Sequence, residues 1–167
     1  MLAYLKSRKV ASKLIQIQKN IKTGTSSIIN VGKFKEHVIF AYRGANNKIE
    51  LSQSVVKKIN TNWVYLTSLS GNFKPGLNNL FNHCQKKSIQ IVWNPGTDQL
   101  KLGLKGLAKY MKNTAVFDVN RDEALELVMS VKGKATKNNI NALLKVLHNY
   151  GQKLTVITDG HKGAYLY

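Results

Sequence analysis

Apolar residues along this chain follow two rhythms. Short runs rich in β-branched residues, SIQIVW (88–93), TAVFDV (114–119) and KLTVITD (153–159), read as strands. Between them, over 100–111, 121–131 and 137–150, apolar positions recur every three or four residues, which predicts helices. Gly151 is the expected stop after the last of these, and the polar stretch 133–136 a join between two helices. Strands alternating with helices of this length predict right-handed crossovers and a mostly parallel sheet covered on both faces. Upstream, NWVYLTSL (62–69) is a further strand, followed by a helix over 74–87 that tolerates Pro75 in its first turn. TGTSSIINVG (23–32) and HVIFAYRGANN (37–47) read as two strands joined by a basic turn at 33–36, together a hairpin. Leu2, Leu5, Leu14 and Ile17 are spaced as on one amphipathic first helix. The first twenty residues also lack acids, so a mitochondrial-type presequence stays open as the alternative.

The length, 167 residues, suits one α/β domain and argues against two. No uninterrupted apolar run is long enough to span a bilayer. A single cysteine, Cys84, cannot close an internal disulfide, and His83 beside it has no second pair at zinc spacing. Cys84 therefore reads as a buried apolar residue of a protein in a reducing, cytoplasmic compartment. His37, His83, His148 and His161 are too scattered in sequence to suggest a metal cluster, and no Ser/His/Asp set stands out.

Charge changes the picture more. With 26 basic and 8 acidic side chains the net charge is +18, a field that attracts polyanions, whether nucleic acid or phosphorylated small molecules. The lysines are dispersed, and arginine, the usual reader of bases, occurs only at Arg8, Arg43 and Arg121. Phe34 and Tyr110 lie among lysines, which keeps a nucleic-acid-binding reading alive, though no RNA-binding motif accompanies them.

In an open α/β sheet ligands bind beyond the carboxyl ends of the strands. Four such ends carry small or amide residues: Ser70-Gly71-Asn72, Asn94-Pro95-Gly96, Asn120 with Glu123, and Thr158-Asp159-Gly160 with Gly163. Each suits a sharp turn where main-chain N–H groups can meet a phosphate. Each also has a purely local explanation: Asn-Pro-Gly is an ordinary turn, and Asn120 with Glu123 is a helix-capping arrangement. Neither a Walker A sequence nor a G-x-G-x-x-G fingerprint is present.

Taken in order, TGTSSIINV, VIFAYRGANN, WVYLTSLSG, IVWNPGTDQL, FDVNRDEALELV and VITDGHKGAYLY resemble the pfkB/ribokinase family of carbohydrate and nucleoside kinases, from about residue 22 to 167. The family's N-x-x-E element matches Asn120 and Glu123. Its T-x-G-x-x-G-a element matches Thr158, Gly160, Gly163 and Ala164. The resemblance implies a ribokinase-like three-layer α/β sandwich over 1–167, incomplete at both ends, with a mostly parallel central sheet and lid strands at 22–47. It implies a kinase that moves the γ-phosphate of ATP to a sugar or nucleoside hydroxyl with Mg²⁺. Asn120 and Glu123 would place the metal, the glutamate through water. Asn94, Thr158, Gly160 and Gly163 would line the nucleotide phosphates, and Tyr42, Arg43 and Asn46 would face the substrate under the lid. An Arg43 that is merely a surface residue is equally consistent.

Two departures accompany the matches. The family's early strands, with a glycine pair and a substrate-holding aspartate, are not in this sequence, and neither is its G-A-G-D element, which carries the anion hole and the base. Asp159-Gly160 belongs to the earlier loop and is not that base. The expectation is a chain that is weak or inactive alone, with no catalytic residue of its own, and a homo-oligomer or a complementary chain as partner. The rival readings are a nucleic-acid-binding protein and a noncatalytic interaction module.

Overall fold

The computed structural model describes residues 2–31, 36–132 and 139–167. Helix α1 (Leu2–Ser7) is followed by strands β1 (Thr25–Val31) and β2 (Glu36–Tyr42), a 3₁₀ turn (Gly44–Lys48), and a short helix α2 (Gln53–Val56). Strand β3 (Trp63–Leu66) then opens the alternating part: α3 (Phe73–Lys86), β4 (Gln90–Trp93), α4 (Thr97–Leu100), α5 (Gly103–Met111), β5 (Val116–Asn120), α6 (Arg121–Lys132), α7 (Ile140–His148), β6 (Leu154–Thr158) and β7 (Ala164–Leu166).

The sheet runs β3-β4-β5-β6-β7, with the first four strands parallel and β7 antiparallel to β6. This is the mostly parallel α/β arrangement that the strand–helix rhythm predicts. Every crossover from β3 to β6 advances one strand in the same direction, so right-handed connections carry their helices to a single face. Leu66, Ile91, Trp93, Phe117, Val119 and Ile157 point to that face and are buried against Leu77, Leu80, Leu104, Leu107, Leu127 and Leu143. Val92, Val116, Leu154 and Val156 point the other way and are half-buried, while Trp63 and Tyr65 on that side are exposed. Of the two covered faces expected from the sequence, the described helices supply one.

Boundaries shift where local chemistry overrides the pattern. The strand expected to reach residue 69 ends at Leu66, and the helix expected over 100–111 is broken into α4 and α5 by Gly103, whose φ is +63°. Its Cα faces Ser130 so closely that a β-carbon would meet the Ser130 Oγ at 3.1 Å. Gly151 ends α7 at φ +95°, as expected. The first helix is the main correction. It spans only Leu2–Ser7 and buries nothing; Lys9 and Asn20 take positive φ, and Leu14 and Ile17 are exposed. Among the described residues none is buried by this helix, and a six-residue helix without packing is marginal. The segment that follows is held by Gln16, whose side chain accepts from Glu50 N (2.8 Å) and donates to Glu50 O (2.6 Å), by Gln18 Nε2 donating to Lys48 O (3.4 Å), and by Ala45 N donating to Lys22 O (2.9 Å).

Strands β1 and β2 form the expected antiparallel hairpin, Thr25 opposite Tyr42 through Val31 opposite Glu36. Most of the turn at 33–36, the join at 133–136 and the first residues of the helix expected from 137 lie outside the described residues. Cys84 is 1% exposed, and burial pushes its thiol up to about 11, so it packs as an apolar residue and is no nucleophile. Among the described residues no helix is long and apolar enough to cross a membrane.

Candidate functional site

The parallel strands β3 to β6 deliver their carboxyl ends to one edge of the sheet, and the loops there are tied to one another by side chain to backbone bonds. Gln99, fully buried, does most of this. Its Oε1 accepts from Leu69 N (3.1 Å) and Gly96 N (3.0 Å), and its Nε2 donates to Leu69 O (2.7 Å). One amide thus joins the loop after β3 to the loop after β4. Gly96 itself lies against Ser68, where any β-carbon would collide with the serine hydroxyl. Asn94, at the end of β4, donates from Nδ2 to Asp118 O (2.9 Å) and so locks β4 to β5 at the same edge.

At the end of β5 the capping arrangement read from the sequence is present in both halves. Glu123 N donates to Asn120 Oδ1 (2.9 Å), and Asn120 N donates to Glu123 Oε2 (2.8 Å). Glu123 keeps its second carboxylate oxygen beside the N-terminus of α6, where the helix dipole favours negative charge. Asn120 stands directly opposite Thr158 in the parallel ladder, so the N-x-x-E element and the start of the TDGHKG loop are neighbours by register. That loop turns through Gly160 (φ +52°) and Gly163 (φ +97°, ψ −151°), the latter a conformation essentially confined to glycine, and Asp159 N donates to Gly163 O (2.8 Å).

Besides Gln99, sequence reasoning missed two contributors here. Arg121 Nη1 donates to Asp159 Oδ2 at 3.0 Å, with side chains 28% and 16% exposed, which pins the glycine loop to the start of α6. Lys162 adds a looser contact to the same oxygen at 3.7 Å. In a double-mutant cycle on Arg121→Ala and Asp159→Ala, urea unfolding is expected to give a coupling of about 1 kcal/mol. Coupling indistinguishable from zero would mean that the loop is held by its glycine geometry alone. The second is Asp118, a carboxylate set among apolar residues in β5; an acidic residue inside the run TAVFDV was the available signal.

Burial raises the pKa of Asp118. Burial also raises that of Glu123, opposed by the hydrogen bond from the Asn120 backbone and reinforced by the fields of Asp118, Glu126 and Asp122. Both carboxyls therefore hold a proton more readily in the folded chain than in the unfolded one. Their ionised forms cost stability at pH values above those raised values.

The residues expected on the substrate side sit elsewhere. Tyr42 and Arg43 are exposed at the end of β2, and Asn46 in the 3₁₀ turn lies over Gly24. Gly71 (φ +71°), at the β3 edge, approaches the Asn47 carbonyl too closely to admit a side chain, so the base of the hairpin rests against the sheet's carboxyl end. Two hollows flank this contact. One of about 300 Å³ is lined by Leu69, Ser70, Asn72 and Phe73; one of about 330 Å³ is lined by Thr23, Asn46 and Lys48; Ile49 and Leu51 wall both. Asn46 thus lines a hollow, and Tyr42 and Arg43 line neither. Of the two lysine-flanked aromatics, Tyr110 is 4% exposed with its hydroxyl on Asn78 Oδ1 (2.7 Å), so it is not free to stack on a base; Phe34 lies outside the described residues.

The same architecture recurs in solved structures. Burkholderia thailandensis nucleoside kinase in complex with inosine superposes with a TM-score of 0.74 at 11% identity, over 99% of this chain and 51% of that one. Cryptococcus neoformans ribokinase in complex with ADP gives 0.71 at 21% identity, over 99% and 54%. Anopheles gambiae adenosine kinase in complex with P1,P4-di(adenosine-5) tetraphosphate gives 0.72 at 14% identity, over 91% and 47%. At these identities the likeness is one of fold, and the chain spans about half the length of these structures. No curated protein matches it in sequence. The sequence profile of the pfkB family of carbohydrate kinases, however, matches residues 1–167, and with the N-x-x-E cap and the glycine loop side by side at the sheet edge, the chain belongs to that family.

Proposed function

We propose that this chain forms the nucleotide-binding part of a kinase that transfers the γ-phosphate of ATP to a hydroxyl of a sugar or nucleoside. The observation that carries the reading is the register pair Asn120–Thr158, which sets the capped N-terminus of α6 beside the glycine loop Thr158–Gly163. A helix start and a glycine turn are places where main-chain N–H groups can meet phosphate oxygens. Asn94 completes the row from β4. The excess of cations makes the molecule as a whole attractive to a polyphosphate.

The donor set fits Mg²⁺ in the form in which it accompanies nucleotides. Among the described residues no cluster of three or more His, Cys, Asp or Glu gathers, which argues against a cage made of protein ligands alone. Mg²⁺ commonly takes one or two carboxylates, waters and substrate phosphates, and Glu123, its free oxygen raised at the helix start, would hold it through water. When bound, the ion supplies charge neutralisation for the phosphates in transfer. The chain's own part is to orient: Asn120 and Glu123 fix the phosphate end, the glycine loop lies along the nucleotide, and Arg121–Asp159 keeps the two together. Asn46 in its hollow, with Tyr42 and Arg43 at the hairpin base, faces the acceptor when the hairpin lies over it as a lid. The catalytic base is left unassigned. The exposed apolar residues on the hairpin, Ile28, Ile29, Val38 and Phe40, are available to a second chain as well as to substrate. A buried, non-nucleophilic Cys84 accords with a reducing cytoplasm.

The test is equilibrium binding of ADP to the full chain with and without Mg²⁺. Saturable binding, tightened by Mg²⁺ and weakened tenfold or more in Glu123→Gln only when Mg²⁺ is present, is the expected result. Absence of saturable ADP binding in either condition overturns the reading.

A further inference from the structure

We propose that Asp118 supplies a second carboxylate, beside Glu123, for the Mg²⁺ that accompanies the nucleotide at the end of β5. The inference rests on the nucleotide-site reading above and concerns a residue outside the N-x-x-E element. Asp118 lies between Phe117 and Val119, both fully buried on the helix-covered face, and points to the opposite side of the sheet with Asn120, two residues on. Its Oδ1 is shut off from solvent and has no hydrogen-bond partner among the described residues. The chain has 26 cationic side chains, yet the ion pairs among the described residues go to Asp98 and Asp159, and none reaches this oxygen.

A carboxylate oxygen shut off from water without a partner has no structural merit in a strand, because valine or threonine would fill the position without the cost. The neighbours nevertheless hold it in place. Asn94 donates to its main-chain carbonyl, and β6 pairs along it from the other side, Val156 opposite Asp118. Asp118 lies two residues before Asn120, whose main-chain N–H donates to Glu123 Oε2 at 2.8 Å, so two carboxylates of like charge are brought to the same strand end. A divalent cation arriving with the nucleotide offsets both penalties at once, and a pair of carboxylates with phosphates is an ordinary ligand set for Mg²⁺.

The experiment uses the full chain and two variants, with ADP affinity measured by calorimetry at several Mg²⁺ concentrations and thermal unfolding measured alongside. In Asp118→Asn the expected result is that the enhancement of ADP affinity by Mg²⁺ falls about tenfold or more, that metal-free ADP affinity is unchanged, and that Tm is equal or higher. In Asp118→Cys the enhancement should be poor with Mg²⁺ and recover with Cd²⁺, since a thiolate selects the softer ion. A full Mg²⁺ effect in Asp118→Asn overturns the assignment of Asp118 and leaves the nucleotide site standing. Equal loss of ADP affinity with and without metal, together with a lower Tm, makes Asp118 a structural residue and also overturns it. A wild-type chain that does not bind ADP removes both proposals.

Discussion

A chain carrying Gln99→Leu is expected to unfold with about 3–5 kcal/mol less free energy than the wild type, read from the urea midpoint at unchanged slope. Leucine nearly matches the volume, so the loss is not one of packing. What disappears is a fully buried amide that satisfies Leu69 N, Leu69 O and Gly96 N together. Each orphaned backbone group costs roughly 1–3 kcal/mol, and water has poor access to the 0% exposed position. Gln99→Glu separates shape from chemistry: it keeps the acceptor for both N–H groups and loses the donor to Leu69 O, so its cost should be smaller at low pH, where the carboxyl can donate. Against a typical domain stability of about 5–15 kcal/mol, the leucine variant would sit near the threshold of folding. A change below about 1 kcal/mol would show that the loops after β3 and β4 stand without this link.

Trp93→Ala should cost a similar amount, about 3–5 kcal/mol, by a different route. Trp93 is fully buried at the end of β4, edge-on to Phe81 at 5.4 Å, Tyr110 at 5.8 Å and Phe117 at 5.8 Å between ring centroids. Its removal leaves a cavity among rings held by two helices and a neighbouring strand. Trp93→Phe should lose far less, about 1 kcal/mol, because an aromatic face remains and the indole Nε1, buried without a partner, is no longer carried into the core. Equal costs for alanine and phenylalanine would show that the full indole footprint, and not an aromatic face as such, is what the cluster needs. Because Asn94 follows immediately, ADP binding by Trp93→Ala under conditions where it is still folded reports how far the site depends on this cluster.

What could be read from the sequence follows from the range over which each signal acts. The run TAVFDV and the cap N-R-D-E are local, so β5, the start of α6 and the reciprocal Asn120–Glu123 bonds all appear where expected. The adjacency of that cap to Thr158 was carried by alternation of strand and helix, which fixes neighbours in a parallel sheet. The first helix failed because an apolar stripe states a need for a partner and not its presence; Leu14 and Ile17 stay exposed. Gln99 and Arg121 were invisible for the opposite reason. Their partners, Leu69 and Asp159, lie 30 and 38 residues away, and nothing in the composition near either residue marks such a bond.

The placement of the two tryptophans gives the molecule two optical reporters that answer different questions. Trp63 is 54% exposed on the outer strand of the sheet, and Trp93 is sealed in the interior. Emission from the first follows whatever covers or leaves that outer strand; emission from the second, packed among Phe81, Tyr110 and Phe117, follows only the integrity of the interior. Replacing Trp63 with phenylalanine therefore leaves a chain whose red shift records global unfolding alone, against which assembly on the open side can be timed separately.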